Sequence, residues 1–342
     1  MFLEGKAALV TGGTGSFGRR TVWQLLARGV RHVRVFSRDE EKQRQMAEEL
    51  KARGLDPRDG PVRFILGDVR NADSVARAMR GADIVFHAAA LKQVPTCETN
   101  VMEAVRTNVL GASNVIEAAV DNGVERVVAI GTDKAVEPVS VMGMTKALQE
   151  RLFVEATWRN RGNGPVFCMV RGGNFLGSRG SVVPLFKQQI EAGGPVTVTS
   201  PEVTRFVITV EEAVALALNA AERAVGGEIF VMQMPAVRVG VLARAMIEGL
   251  APGNSVSIHE IGLRPGERTY ELLVSGPEVA RTIRQDSSLI VMPELDVPAT
   301  REHYKNAPPA DISLDGEISS RTARLLTQAQ VQEKLQEAGW LP

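Results

Sequence analysis

The chain has 342 residues, with 40 basic against 40 acidic side chains, and this charge balance excludes the electrostatic footprint of a nucleic-acid or anionic-membrane binder. No apolar run approaches the ~20 residues of a membrane span and the N-terminus lacks a signal-peptide layout, so a cytoplasmic protein without a membrane partner is expected. Cys97 and Cys168 stand in unrelated contexts and read as free thiols of a reducing compartment.

Strands are predicted at 7–10, 33–36, 62–65, 84–86, 127–130 and 166–170, as short β-branched and aliphatic runs. Helical periodicity fills the intervals at 19–28, 42–53, 72–79, 103–121 and 139–160. This alternation implies an α/β fold, a doubly wound parallel Rossmann sheet. Beyond Arg171 the pattern loosens, with glycines and prolines crowding 172–203. A helix at 210–224 and a strand at 229–232 are expected to rejoin the sheet. The expected division is a Rossmann domain over 1–172, rejoined by 206–234. A smaller α/β substrate-binding domain takes 173–205 and 235–285, and a C-terminal tail takes 286–342, ending in a short helix at 328–338.

The string Thr11-Gly12-Gly13-Thr14-Gly15-Ser16-Phe17-Gly18 lies between the first strand and the first helix, the context that gives a glycine pattern its meaning. Gly12 permits the tight turn, Gly15 lets backbone approach a pyrophosphate, and Gly18 allows close helix packing. Thr14, Ser16 and Phe17 are at the helix N-terminus, where free N–H groups favour an anion. An NAD site usually has an acid at the end of the second strand. Here Ser37-Arg38 comes first, and a guanidinium with a hydroxyl suits a 2′-phosphate. Lys42 adds charge one turn on, so NADP is expected over NAD. Asp68 and Val69, after the third strand, are placed at the adenine edge. Ala88, Ala89 and Ala90, after the fourth, are small enough to let a cofactor lie on the backbone.

Gly131-Thr132-Asp133-Lys134 follows the fifth strand, and Val141-Met142-Gly143-Met144-Thr145-Lys146 opens the next helix. Short-chain dehydrogenases place a Ser or Thr at the first position and a Tyr four residues before a Lys on the helix, where one face brings phenol and ammonium together. Thr132 and Lys146 fit that arrangement. Met142 occupies the Tyr position, and a thioether has no proton to exchange.

Further strings are His87-Ala88-Ala89-Ala90-Leu91-Lys92-Gln93-Val94-Pro95, Thr107-Asn108-Val109-Leu110-Gly111-Ala112, Gly177-Ser178-Arg179-Gly180-Ser181-Val182-Val183-Pro184, Thr204-Arg205-Phe206 and Arg264-Pro265-Gly266-Glu267. With these, residues 3 to about 275 resemble the bacterial UDP-N-acetylglucosamine 4,6-dehydratases of the capsular-polysaccharide and flagellin-sugar type. The Met at 142 is similar to a subset of them. Gly172 departs from the pattern, since relatives often have Tyr there.

The resemblance implies transient oxidation at sugar carbon 4, loss of water across carbons 5 and 6, and hydride return to carbon 6. Asp133 is then the acid for the leaving hydroxyl and Lys134 the base at carbon 5. The chemistry requires a raised pKa for Asp133 and a lowered one for Lys134, as burial would produce. Lys146 would hold the nicotinamide ribose, and Asn108 would join the cofactor site. Lys92, Asn174, Ser181, Val182, Arg205, Arg264 and Glu267 would hold the nucleotide sugar, UDP-GlcNAc, with the two arginines on its phosphates and Glu267 on a ribose hydroxyl. No metal is needed, and His87 reads as structural. Relatives assemble as homo-oligomers, often hexamers. Retention and inversion at carbon 5 both stay open, as does the group that deprotonates the carbon 4 hydroxyl, with Thr132, Asp133 or a water relay as choices. The alternatives are another NADP-dependent nucleotide-sugar epimerase or reductase, or a non-catalytic NADP-binding protein.

Overall fold

Strands without a polar face must be covered on both sides, which is what a parallel sheet wrapped in helices provides. The computed structural model describes residues 2–161, 163–253, 256–286, 288–312 and 316–342. The other positions fall inside the expected domain spans and lie outside the described residues. In chain order, β1 (Ala7–Thr11), α1 (Ser16–Ala27), β2 (His32–Ser37), α2 (Glu40–Ala52), β3 (Val62–Leu66), α3 (Ala72–Met79) and β4 (Ile84–His87) come first. α4 (Val94–Thr99) and α5 (Val101–Ala104) lead through a π-helical stretch, Val105–Leu110, into α6 (Gly111–Asp121). β5 (Arg126–Ile130), α7 (Val141–Asn160) and β6 (Val166–Arg171) follow. The next part holds β7 (Asn174–Phe175), α8 (Val182–Glu191), β8 (Val196–Val198), β9 (Thr204–Ile208), α9 (Val210–Arg223), β10 (Ile229–Met232), β11 (Ala236–Arg238), α10 (Val239–Leu250) and β12 (Ile258–Glu260). The last contains β13 (Leu272–Val274), α11 (Gly276–Val279), β14 (Thr282–Gln285), β15 (Ser288–Val291), α12 (Pro298–His303), β16 (Ile318–Ser319) and α13 (Gln328–Glu337).

The main sheet runs β14-β15-β10-β6-β5-β4-β1-β2-β3. It is parallel from β3 to β10, as the doubly wound reading requires, and β10, β15 and β14 pair antiparallel. Strand order reverses between β1 and β4, which opens the crevice at their carboxyl ends where ligands of such sheets bind. A second core, including Phe186, Leu242, Met246 and Leu335, packs α8, α10 and α13 together. It adjoins the small sheet β11-β9-β7 and the pair β8-β12.

Three features differ from the sequence reading. β14 and β15 form a hairpin on the main sheet, so residues on both sides of the expected 285/286 boundary belong to that sheet. Each strand has four residues and carries polar ones such as Arg284 and Ser288, too short for a clear period. α8 forms inside the Gly- and Pro-rich stretch. The helix expected at 103–121 is widened to π geometry at Val105–Leu110.

Local chemistry sets the ends of the helices around the crevice. The Asp39 carboxylate accepts from Lys42 N at 3.0 Å and starts α2, and Ser140 Oγ accepts from Gly143 N at 3.1 Å and starts α7. A buried cation joins the two halves of the chain. Arg171, 1% exposed, donates to Glu150 of α7 at 2.7 Å, to Glu278 of α11 at 3.0 Å and to the Leu273 carbonyl of β13 at 2.8 Å. Arg171→Ala leaves Glu150 without its ion-pair partner and Glu278 with Arg281 alone, and is expected to cost about 3–5 kcal/mol in urea denaturation. A loss too small to measure would contradict this clamp.

Candidate active site

The glycine loop is held by steric need. Gly12 has φ of +65°, and a Cβ there would stand 2.8 Å from Ala89 N. A Cβ at Gly18 would stand 2.5 Å from the Gly12 carbonyl. Loop, α1 and the end of β4 are thus packed backbone to backbone. Gly15 is the N-cap of α1 and offers no side chain to its first-turn amides, so these remain available to an anion. These features fit a dinucleotide pyrophosphate.

A cleft of about 690 Å³ follows the crevice. Its walls include Gly12, Thr14, Gly15, Ser16, Phe17, Gly18, Ser37, Arg38, Lys42, Asp68, Val69, Ala88, Ala89 and Ala90, so the expected cofactor residues are gathered there. Asp39 is engaged as the α2 cap and in an ion pair with Lys42. Asp68 is paired with Arg70 at 2.7 Å. Arg38 is exposed and lies 3.9 Å from Asp68, the loosest-held charge at that end. Asn108 is brought in only indirectly. Its amide accepts from Leu91 N at 2.8 Å and donates to Leu91 O at 2.9 Å and Thr145 Oγ1 at 3.0 Å. It pins the wall from behind, with both of its amide protons committed inside the protein.

At the carboxyl end of β5, Asp133 is fully buried. Its Oδ1 accepts from Thr132 Oγ1 at 3.0 Å and from Lys134 Nζ at 3.0 Å, while Oδ2 has no protein partner. Lys134 also donates to Asn174 Oδ1 at 3.0 Å and pairs with Glu271 Oε1 at 3.3 Å. Burial pulls the Lys134 ammonium down, but the Asp133 and Glu271 carboxylates outweigh it, against opposition from Arg205, and hold its pKa above the ordinary lysine value. The lowered pKa expected for Lys134 is therefore corrected: in this arrangement it is a paired ammonium. Lys146 is different. Burial lowers it to about 8, against the raising influence of Glu150, and its Nζ donates to the Ile130 carbonyl at 2.6 Å and to Gln149. Met142 lines the cleft one turn earlier and is buried with Cys97 and Ala104. His87 sits in β4 and meets Thr11 Oγ1 through Nδ1 at 2.8 Å.

The opposite wall comes from the second half. Lys92 donates to Ser178 Oγ at 3.1 Å, Gln93 to the Gly180 carbonyl at 3.0 Å, and Arg179 N to Ser16 Oγ at 3.4 Å. The loop before α8 is thereby laid against the glycine loop. Ser181 and Val182 open α8 at the cleft, and Asn174, Arg205, Arg264 and Glu267 also line it. Arg205 is already engaged, donating to Glu267 Oε1 at 3.0 Å and to the Arg268 carbonyl at 2.9 Å. Glu267 accepts in addition from Thr199 and from Arg264 N, so it closes a loop within the protein. The Arg264 side chain is exposed at the rim. Sequence reasoning missed Glu271, which is 3% exposed yet faces the cleft. The signal available was its place a few residues beyond the Arg264-Pro265-Gly266-Glu267 string.

Residues 8–293 match the family described as polysaccharide biosynthesis protein. The UDP-glucose 4-epimerase of Rickettsia canadensis is 46% identical over 285 residues, 82% of this chain and 81% of that protein. An uncharacterized membrane protein of Methanocaldococcus jannaschii, MJ1061, is 45% identical over 297 residues, 85% of this chain and 87% of that protein. The X-ray structure of Pen from Bacillus thuringiensis superposes with a TM-score of 0.90 at 35% identity, over 100% of both chains. Among the described residues no helix is long and apolar enough to cross a membrane.

Gly12→Ala forces a side chain onto the end of β4 at a backbone angle that favours glycine. Dinucleotide affinity measured by fluorescence titration is expected to fall at least about tenfold, the equivalent of roughly 1.4 kcal/mol. Unchanged affinity would contradict the packing described.

Proposed function

The chain belongs to the polysaccharide biosynthesis protein family, and from that premise we propose that it is an NADP-dependent UDP-N-acetylglucosamine 4,6-dehydratase. It would form a UDP-4-keto-6-deoxy-HexNAc for cell-surface glycan synthesis. One observation supports this reading above the rest: the Lys134 amine lines the cleft with the fully buried Asp133 carboxyl 3.0 Å behind it, while the Tyr position is filled by Met142. Oxidation of a hydroxyl alone gives that pair no task. Elimination of water needs both an acid and a base.

The glycine loop, Arg38 and Lys146 would hold the dinucleotide, which would supply reversible hydride transfer, from sugar carbon 4 and back to carbon 6. The protein's share is proton handling. The Thr132 hydroxyl, hydrogen-bonded to Asp133, gives the carbon 4 hydroxyl a route for its proton and loads the carboxyl as an acid. Asp133 then protonates the leaving hydroxyl at carbon 6, and Lys134 takes the proton of carbon 5. Lys146 supplies positive field beside the nicotinamide ribose. Arg38 receives the 2′-phosphate, because Asp39 is engaged as a helix cap and is not free to take ribose hydroxyls in the NAD manner. Arg264, exposed at the rim, meets the sugar diphosphate, and Arg205 joins it only by leaving Glu267. Exposed Met102, Leu110, Met144 and Leu148, on helical segments that pack against one another, support a homo-oligomer.

The name of the Rickettsia relative favours a second reading, epimerisation at carbon 4. That reaction leaves the carbon 6 hydroxyl in place, which separates the two. UDP-GlcNAc in deuterium oxide, with no cofactor added, is expected to yield a product with a carbon 6 methyl group by NMR, and the same spectrum reads the configuration at carbon 5. A product that keeps its carbon 6 hydroxyl overturns the proposal. Asp133→Asn and Lys134→Ala are each expected to lower kcat by about 10²–10⁴-fold with NADP binding intact; unchanged rates discard the acid and base roles. Arg38→Ala is expected to weaken NADP at least about tenfold and leave NAD unchanged in a binding titration. Equal effects on both would remove Arg38 from the 2′-phosphate.

A further inference from the structure

An amine that takes a proton from carbon must begin the step uncharged, yet Lys134 lies among acceptors. Its Nζ has Asp133 Oδ1 and Asn174 Oδ1 each at 3.0 Å and Glu271 Oε1 at 3.3 Å. An ammonium has three protons and no lone pair; here two of them are hydrogen-bonded, to Asp133 and Asn174, and Glu271 stands beside the group as an ion-pair partner. One proton must therefore leave along an existing contact before the amine can act.

The groups around it limit where the proton can go. Asn174 cannot hold it. Asp133 must stay free to receive the proton of the carbon 4 hydroxyl through Thr132, or the later departure of water would have no fresh acid. Glu271 remains. It precedes β13, lies between Lys134 and Arg205 Nε at 3.7 Å, and is almost wholly buried in the cleft wall. The charged groups facing it are Asp133, Lys134 and Arg205, with Glu267 beyond the guanidinium at 3.0 Å. Three carboxylates thus share two cations, so the cluster has an acidic oxygen to spare for a proton.

Resting on the dehydratase reading, we propose that Glu271 is the positioning residue that takes the Lys134 proton, so that Lys134 enters turnover as a free amine. The transfer moves one proton from Lys134 Nζ to Glu271 Oε1 and changes no net charge. Lys134 then takes the carbon 5 proton and becomes ammonium, while Asp133 gives its proton to the leaving hydroxyl. When hydride returns to carbon 6, Lys134 gives a proton back to carbon 5. Glu271 stays protonated throughout, and every proton is accounted for. Burial, reinforced by Asp133 and opposed by Lys134 and Arg205, raises the Glu271 carboxyl above the usual glutamate range. A sugar seated over the pair removes water and disfavours its separated charges further.

Because the pair shares one proton, the fraction with a free amine does not depend on pH across the neutral range. Glu271→Gln removes the acceptor, and the Lys134 proton must then go to solvent. The holoenzyme variant is expected to lose about 10²-fold in kcat at neutral pH, with KM unchanged. Its rate should then climb about tenfold per pH unit toward alkaline pH, where the wild type is flat. Glu271→Asp, which keeps an acid, should retain the flat profile. The same profiles should appear in deuterium exchange at carbon 5 of the isolated 4-keto product, which requires no redox step. A folded Glu271→Gln with the wild-type profile, or with no recovery at alkaline pH, overturns the proposal while leaving the dehydratase reading intact. A wild type that neither dehydrates the sugar nor exchanges carbon 5 overturns both.

Discussion

The arrangement depends on a charge cluster placed at the carboxyl end of β5, where Asp133, Lys134, Glu271, Arg205 and Glu267 meet. Removing such charges from water is costly unless each is paired and hydrogen-bonded. The pairing here reaches across the fold: Asp133 and Lys134 come from the main sheet, Arg205 from β9, and Glu271 from the approach to β13. The same contacts that make burial tolerable also hold a buried acid 3.0 Å from an amine that lines the cleft. Stability and chemistry are therefore set by one group of residues.

Around this cluster, the sheet provides the geometry of approach. The reversal at β1 and β4 opens the crevice, and the glycine loop fits against Ala88 and Ala89 because no side chain intervenes. The loop before α8 then closes the other side through Lys92, Gln93 and Ser16. A ligand lying along the crevice would touch both halves of the chain, and its sugar end would meet the cluster.

The sequence made the first half of the fold legible because its strands are short, mostly β-branched and aliphatic runs and most of its helices are regular. The glycine loop and Thr132-Asp133-Lys134 could be read because each is a contiguous string in a defined strand context. Glu271 was missed because its proximity to Lys134 is a property of the folded chain, and its place just beyond the Arg264 to Glu267 string was the one local signal. Asn108 and Glu267 show the converse: what a side chain already holds is also a property of the folded chain, and these two bond Leu91 and Thr145 in one case and Arg205 and Thr199 in the other. The lowered Lys134 pKa that the chemistry requires is not met, because its neighbour Asp133 is joined by Glu271, and the two carboxylates outweigh burial.

The central claim is that one hydride is borrowed and returned within a single cleft while the cluster moves protons. Its most direct measurement uses UDP-GlcNAc with deuterium at carbon 4 and a pool of unlabelled NADPH. Intramolecular transfer predicts that the label arrives in the carbon 6 methyl group undiluted by the pool. Label that stays at carbon 4, or that washes out into the free coenzyme, would contradict it.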